Sequence, residues 1–468
     1  MKAFSFCVKR REKLLESNIN QTVAVMQTEI VSAEPKHKEL FGFGIGGIGL
    51  YGAWTLVGTF LTFYYTDLVG ISAATVGTLM LLVRFMDGVA DIGMGVVVDR
   101  TNTKHGKARP WIRWMLLPYA ISTILLFTVP DLGTTGKILY MYVTFIVFNL
   151  IFTAVSIPYV TLLGRITQDS YKRSLANIYL GFFNLFATLL VVTVATPLAN
   201  AFGWVSVATI FAVLAFLSLY MTFQSTKERI PFSDSDRNQV LFKIGIKALF
   251  SNKYLLIITL VCVLFNMLNT LILSAGVYFA TYILNNSNLY SVIAFCTIAP
   301  MFLGFIFLAP LVKRFGKRNV SAVGSVIIMI GQCIKIMNPD SLWYFLIGTV
   351  LAGLGIMPLL SLLKAMINDT IEYGEWKSGM RTEGLINSGA SFGMKVGNGL
   401  GLALIGWLLA FGGYIGGIST QAALADQMII WLNVYIPIII AVIQVIVLWF
   451  FKLDSEYEQI VLDLKNRK

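Results

Sequence analysis

The sequence is short of charge. Asp, Glu, Lys and Arg together make up 13% of its 468 residues, whereas 57% of the residues are hydrophobic. Soluble domains carry about a quarter charged residues, so a soluble protein of this composition would expose too much apolar surface. Soluble enzymes and nucleic-acid-binding proteins are therefore excluded, and the net charge of +12 needs another explanation.

Residues that bind metals or act as nucleophiles are also scarce. The four cysteines lie far apart without metal-ligand spacing, and both histidines, His37 and His105, lie in polar segments. No GxxxxGK[ST] motif for nucleotide binding occurs in the sequence. We therefore expect no enzymatic activity, no cofactor, no ATP-driven transport and no nucleic-acid partner.

What the sequence does contain is long apolar segments separated by short polar ones. A helix of about 20 apolar residues spans a bilayer. Twelve segments fit, namely 40–66, 74–98, 110–129, 137–164, 174–199, 203–224, 254–284, 289–312, 319–337, 341–367, 383–411 and 426–451. We expect an all-α polytopic membrane protein with twelve transmembrane helices.

The basic residues are concentrated in alternate connecting segments. If the N-terminus is cytoplasmic, 32 of the 36 Lys and Arg residues lie on the cytoplasmic side, and Lys137 alone lies in an outside loop. Cytoplasmic loops of membrane proteins are enriched in Lys and Arg. We therefore expect both termini to be cytoplasmic and the protein to lie in the cell membrane. Because one chain of twelve helices contains a complete pathway, we expect a functional monomer.

A polar stretch divides the helices into two sets of six. The glycine-containing basic turns that follow the second helix of each set, at Gly106 and Gly316, are typical of the major facilitator superfamily. We expect its fold, two pseudo-symmetric six-helix bundles with a site near the bilayer midplane. The expected division is an N-terminal tail 1–39, a bundle 40–224, a central loop 225–253, a bundle 254–452 and a C-terminal tail 453–468.

Several charges lie within apolar helices, where each costs at least about 2.5–3.5 kcal/mol on insertion scales. Arg84, Asp87 and Asp91 are spaced by three and four residues, so they share one helix face. Lys395 of the eleventh helix is predicted at a similar depth, close to the two aspartates. Two carboxylates one turn apart suit a sodium ion or, without metal, a shared proton. The alternative is a buried ion network that only locks the helices together.

Polar side chains form stripes on two other helices. The fourth helix carries Asn149, Thr153 and Ser156, and the eleventh carries Asn387, Ser391, Lys395 and Asn398. Side chains three or four residues apart share a helix face. We expect these stripes to line a water-filled cavity.

Longer motifs make the sequence recognisable. They are Tyr64-Tyr65-Thr66-Asp67, Asp87-x-x-x-Asp91-x-x-x-Gly95-x-x-x-Asp99-Arg100-Thr101, Gly106-Lys107-Ala108-Arg109-Pro110-Trp111, Asp369-x-x-Glu372-Tyr373-Gly374-Glu375-Trp376 and Gly379-x-Arg381-x-Glu383-Gly384. Together they resemble the signature of the glycoside–pentoside–hexuronide:cation symporters, over roughly residues 40 to 450. The resemblance implies a sugar or glycoside as substrate, driven by Na⁺ or H⁺ entry through alternating access.

The resemblance also implies roles for individual residues. Asp87 and Asp91 match the cation-binding pair and would be the Na⁺ ligands of a sodium-coupled carrier, with Thr153 as a neighbouring hydroxyl and with Arg84 and Lys395 as coupling residues. We expect a cytoplasmic gate formed by Asp99, Arg100, Asp369, Glu372 and Arg381.

The chain departs from the family pattern where galactosides are bound. Tyr51, Ser156 and Gly181 stand at positions where the pattern has an aspartate, an aspartate and an arginine. Two alternatives therefore stay open, a carrier of a non-sugar solute such as an amphiphile or organic acid, and a non-transporting membrane sensor. The candidate substrate-binding residues are Tyr51, Trp54, Ser156, Tyr159, Asn387 and Ser391, although packing is an alternative role for each aromatic.

Overall fold

The computed structural model describes residues 35–104, 106–167, 169–229, 252–338, 341–379 and 383–467. Within these ranges every predicted apolar segment coincides with a helix. The helices are α1 His37–Leu68, α2 Ala73–Arg100, α3 Arg109–Leu126, α4 Thr134–Ile166, α5 Ser170–Phe202, α6 Trp204–Ser225, α7 Lys253–Ile283, α8 Leu289–Phe315, α9 Lys317–Met337, α10 Leu342–Ser378, α11 Glu383–Phe411 and α12, residues 423–449, followed by α13 Leu453–Arg467.

Most of these helices are long and apolar enough to span a membrane. In the described part of the chain nine helices meet that requirement, and α8 does so when its parts Leu289–Gly304 and Phe307–Phe315 are taken as one span. The other two, α2 and α3, contain charged residues within or at the start of the helix. The expectation of an all-helical polytopic protein is confirmed.

The helices pack in two bundles that repeat each other. In the first bundle α1 packs on α5 and α6, α3 on α4 and α6, and α2 on α4. Adding six to each number gives contacts that the second bundle also makes, α7 on α11 and α12, α9 on α10 and α12, and α8 on α10. The bundles meet through α2 against α11 and α5 against α8, a pair of contacts related by the same shift. This is the expected pseudo-symmetric arrangement.

The connecting segments define two faces. Among the described residues, the basic face comprises 100–104, 106–109, 166–167, 169–170, 225–229, 315–317, 378–379, 383 and 449–453, and the far face comprises 68–73, 126–134, 202–204, 283–289, 337–338, 341–342 and 411–423. Residues 64–68 of α1 and 279–283 of α7 end at the far face as π-helical turns. Such turns are frequent at functional sites.

On the basic face α10 is longer than the predicted segment 341–367, and a helix that was not predicted follows α12. The predicted segment ends at residue 367, but α10 continues to Ser378 because Thr370 and Tyr373, three residues apart, keep one helix face buried. The helix ends at Gly379, whose φ of +70° is readily adopted only by glycine. The C-terminal segment was expected to be a tail, whereas residues Leu453–Arg467 form α13, which packs on α10.

Candidate functional site

The charged residues of α2 lie where the two bundles touch. At the far-face end of this contact Gly77 of α2 meets the backbone of Gly406 of α11, where an added Cβ would approach the Gly406 Cα to 3.1 Å. Further along, Gly399 of α11 packs against the side chain of Arg84. The small residues let the two backbones approach closely, so α2 side chains can reach residues of the other bundle.

Arg84 and Asp87 form a sealed ion pair. The Arg84 Nη1 atom lies 3.0 Å from Asp87 Oδ2, and the two residues are 1% and 3% exposed. Arg84 also donates to Asn149 Oδ1 of α4 at 3.2 Å, and its guanidinium carbon lies 4.4 Å from the ring centroid of Trp54. Hydrogen bonds and a cation–π contact thus replace part of the water that this guanidinium gives up, and its buried Nε has no hydrogen-bond partner among the described residues.

Asp91 is held by residues from both bundles. Thr153 of α4 donates to Asp91 Oδ1 at 3.2 Å, and the Lys395 ammonium of α11 donates to Asp91 Oδ2. The side chains of Lys395 and Asp91 are 18% and 22% exposed, so this pair is more accessible than the Arg84–Asp87 pair. The structure therefore brings together all five residues predicted for cation binding and coupling.

The arrangement is electrically balanced. Two carboxylates face one guanidinium and one ammonium, so the formal charges of these four side chains cancel. Within the described residues no group of three or more His, Cys, Asp or Glu side chains could hold a metal ion. A small cation or a proton can bind Asp91 by taking the place of Lys395, with the Thr153 hydroxyl beside it.

The predicted substrate-binding residues separate into two groups. Trp54 stacks on Phe152 at 4.2 Å and contacts Arg84, so it belongs to the charged site. Tyr159 is fully buried, stacks on Phe43 and donates to the carbonyl oxygen of that residue, which makes it part of the packing between α1 and α4. Tyr51 also packs partly buried against the core.

The remaining members of the predicted set lie on the polar stripes. Ser156 is one turn from Thr153 and donates to its carbonyl oxygen at 3.5 Å. Asn387 and Ser391 are exposed on α11, two turns and one turn from Lys395 towards the basic face.

Two of the five residues expected to form a cytoplasmic gate, Asp369 and Glu372, pair within the second bundle. Lys317 donates to Asp369, and Tyr457 of α13 donates to Glu372. Arg100 is exposed at the end of α2. Arg381 and the side chain of Asp99 lie outside the described part of the structure.

Other carboxylates on the basic face also stay within their own bundle. Glu228 accepts hydrogen bonds from the backbone of Lys107, Ala108 and Arg109 at 2.8–2.9 Å, at the start of α3. Asp454 accepts from the backbone of Arg318 at 2.8 Å, at the start of α9. A carboxylate is favourable at a helix N-terminus because it satisfies free N–H groups and complements the helix dipole. The two contacts are related by the same six-helix shift.

A cluster that was not predicted from the sequence joins the bundles at the far face. Asp67 of α1 accepts hydrogen bonds from Tyr282 of α7 and from Tyr414, which follows α11, the latter at 2.6 Å. Thr66 donates to the same carboxylate at 2.6 Å and lies 2.9 Å from the hydroxyl of Tyr278. We call these five residues the far-face clasp. Asp67 stands in a recognised motif, but no local pattern links it to tyrosines more than 200 residues away.

The chain is similar to known proteins over nearly its whole length. The family described as MFS/sugar transport protein matches residues 42–455. The isoprimeverose transporter of Lactiplantibacillus pentosus is 32% identical over 92% of this chain and 91% of its own length. The putative glycoside/cation symporter YagG of Escherichia coli (strain K12) is 29% identical over 90% of this chain and 94% of its own.

A solved structure supports the fold. The crystal structure of a bacterial homologue of the human lysosomal transporter Spinster superposes with a TM-score of 0.65, covering 91% of this chain and 98% of that chain at 13% identity. The similarity at this identity concerns the fold alone. With the sequence relatives, it confirms the resemblance that the motifs predicted.

Proposed function

We propose that this chain, which belongs to the family of MFS/sugar transport proteins, is a cation-coupled symporter of a sugar or glycoside. Membership of the family makes it a multi-pass membrane transporter and not an enzyme. The observation that carries the proposal is the meeting of Asp87, Asp91, Thr153 and Lys395 at the contact between the bundles. Charges are retained within membrane helices where they serve transport. The names of the relatives, an isoprimeverose transporter and a glycoside/cation symporter, support the same substrate class.

We propose that transport proceeds by alternating access and that the structure has its basic face open. The far-face clasp joins the two bundles, whereas carboxylates of the basic face pair within their own bundle. Between the Asp91–Lys395 contact and the basic face, a Cβ added at Gly93 of α2 or Gly389 of α11 would meet no described atom within 4 Å. The Lys and Arg content of the basic face assigns that face to the cytoplasm, so a form with an open basic face is inward-open. The protein lies in the cell membrane and functions as a monomer in this proposal.

In this form a solute enters the cavity between the bundles beside the charged site. Ser156, Asn387 and Ser391 offer hydroxyl and amide groups there, and Tyr51 and Trp54 contribute apolar surface with polar edges. Such groups bind the hydroxyls of an uncharged sugar. Asp87 and Asp91 take no part in that recognition in our proposal, because both carboxylates are engaged by Arg84 and Lys395.

The second candidate is cation-coupled transport of a solute other than a sugar. Its basis is that Tyr51, Ser156 and Gly181 replace the charged residues with which the family pattern binds galactosides. A Cβ added at Gly181 would meet no described atom within 4 Å.

Uptake into membrane vesicles distinguishes the candidates. We expect labelled isoprimeverose or another glycoside of a panel to accumulate under either an imposed Na⁺ gradient or an imposed H⁺ gradient, and Asp91→Asn to abolish accumulation. Solute-dependent protection of cysteines placed at Tyr51 and Ser156 would identify the lining residues. If no glycoside accumulates under either gradient although the protein is folded, the sugar assignment is wrong and the second candidate takes its place.

A further inference from the structure

Each carboxylate in the middle of α2 already has a cationic partner. Arg84 contacts Asp87, and Lys395 contacts Asp91, so the four side chains have no net charge. An unpaired charge is strongly unfavourable in a medium of low dielectric constant. The site as seen here, with both pairs formed, can therefore be enclosed between the bundles without leaving a bare charge.

The two pairs are built differently. Arg84 and Asp87 are three residues apart on one helix, and their side chains are 1% and 5% exposed. They move as one unit with α2. Lys395 and Asp91 belong to different bundles, and their side chains are 18% and 22% exposed. Only this second pair can separate when a cation arrives or the bundles move, because water can reach both charged groups as they part.

Binding of a cation to Asp91 requires that separation. Thr153 already donates to Oδ1 of Asp91, and the Lys395 ammonium occupies Oδ2. We infer that Lys395 is a tethered substitute for the transported cation: it neutralises Asp91 when no cation is bound and is displaced when one binds. The inference deepens the proposed function and rests on it.

The role proposed for Lys395 affects the return of the unloaded carrier. After releasing solute and cation, a symporter must return unloaded to the opposite face, and this step is required for net transport but not for exchange of one solute molecule for another. With Lys395 on Asp91 the returning site is neutral. Without the ammonium, Asp91 would carry an uncompensated charge through the enclosed state, and the return would be slow. In the loaded form the cation neutralises Asp91 and the displaced Lys395 carries the remaining positive charge, so removing Lys395 leaves no unpaired charge in that form and should not slow its movement.

The test compares net uptake with exchange in proteoliposomes containing the whole chain. The probe is labelled isoprimeverose, or the panel glycoside that the parent protein accumulates. In Lys395→Gln we expect net uptake to fall about tenfold or more, because an added barrier of only about 1.4 kcal/mol slows a step tenfold, while exchange at saturating cation on both sides stays within about twofold of the parent. Lys395→Arg, which keeps the charge, should retain net uptake.

Two further variants serve as controls for the comparison of net uptake with exchange. Lys335→Gln is the matched control, because Lys335 is also a buried lysine of a membrane helix but lies over the ring of Phe345, 4.2 Å from its centroid, away from the aspartates. It should leave the ratio of net uptake to exchange unchanged. Asp91→Asn combined with Lys395→Gln makes the site neutral again, so sugar should equilibrate across the membrane but no longer accumulate.

The outcomes separate the two claims. Equal losses of net uptake and exchange in Lys395→Gln, or normal net uptake, would overturn the inference while leaving the symporter intact. If Lys395→Gln does not fold, failure of the double variant to equilibrate sugar has the same meaning. If the parent protein neither accumulates nor exchanges any glycoside, the proposed function itself fails, and the inference falls with it.

Discussion

At the scale of single residues, the structure shows how an arginine can be stable inside a membrane helix. Arg84 is buried, but its charge is met by Asp87 at 3.0 Å, its Nη1 also reaches Asn149, and Trp54 lies against its guanidinium. Removing either member of a buried ion pair leaves the other charge unpaired, which costs about 3–5 kcal/mol. Replacing both members by neutral groups avoids that cost.

A double-mutant cycle tests this account of the buried pair. We expect Arg84→Gln and Asp87→Asn each to lower the melting temperature of the detergent-purified protein, and the double variant to recover part of the loss because neither charge is left alone. Thermal unfolding monitored by intrinsic tryptophan fluorescence at one scan rate gives the comparison. If the two losses simply add in the double variant, the residues do not stabilise the protein as a pair.

The sequence predicted which residues form this site but not how they pair. Helical spacing places Arg84, Asp87 and Asp91 on one face, and the depth of Lys395 in α11 brings it to the same level. Which of the two carboxylates Lys395 contacts depends on the close approach of α2 and α11. That approach is set by tertiary packing at small residues such as Gly399, and no local pattern encodes it.

At the scale of the elements, hydropathy located the helices well and their polar extensions poorly. The predicted α10 stopped at residue 367 because charged residues follow, although the buried side chains of Thr370 and Tyr373 continue the helical repeat towards Gly379. The helix α13 was missed for a similar reason. Its polar side chains meet partners on other helices, as Tyr457 meets Glu372 and as Trp376 donates to Asp463 at 3.0 Å.

At the scale of the whole molecule, the far-face clasp controls which face is open in our account. Tyr414→Phe removes one of the two tyrosine hydroxyls that reach Asp67 from the second bundle. A hydrogen bond to a charged group contributes about 1.5–3 kcal/mol. We therefore expect roughly a tenfold shift of the population towards a form with an open far face.

Distances between spin labels measure this shift. Labels at Leu132 and Ile418, exposed on far-face loops of the two bundles, should move apart in Tyr414→Phe. Tyr290→Phe is the matched control: this tyrosine packs against Phe60 of the other bundle, but its buried hydroxyl has no hydrogen-bond partner among the described residues. Equal distance distributions in Tyr414→Phe and the parent would show that the clasp does not set the balance between the two forms.

Cation movement driven by sugar entry measures the coupling of sugar and cation transport most directly. Proteoliposomes with no imposed gradient receive isoprimeverose or the panel glycoside that the parent protein transports, and external Na⁺ and external pH are recorded separately. Our account predicts that sugar entry carries one of the two cations inward, and that Asp91→Asn removes this cation movement because Asp91 is the accessible carboxylate of the site. Sugar entry without movement of either cation would contradict coupled transport.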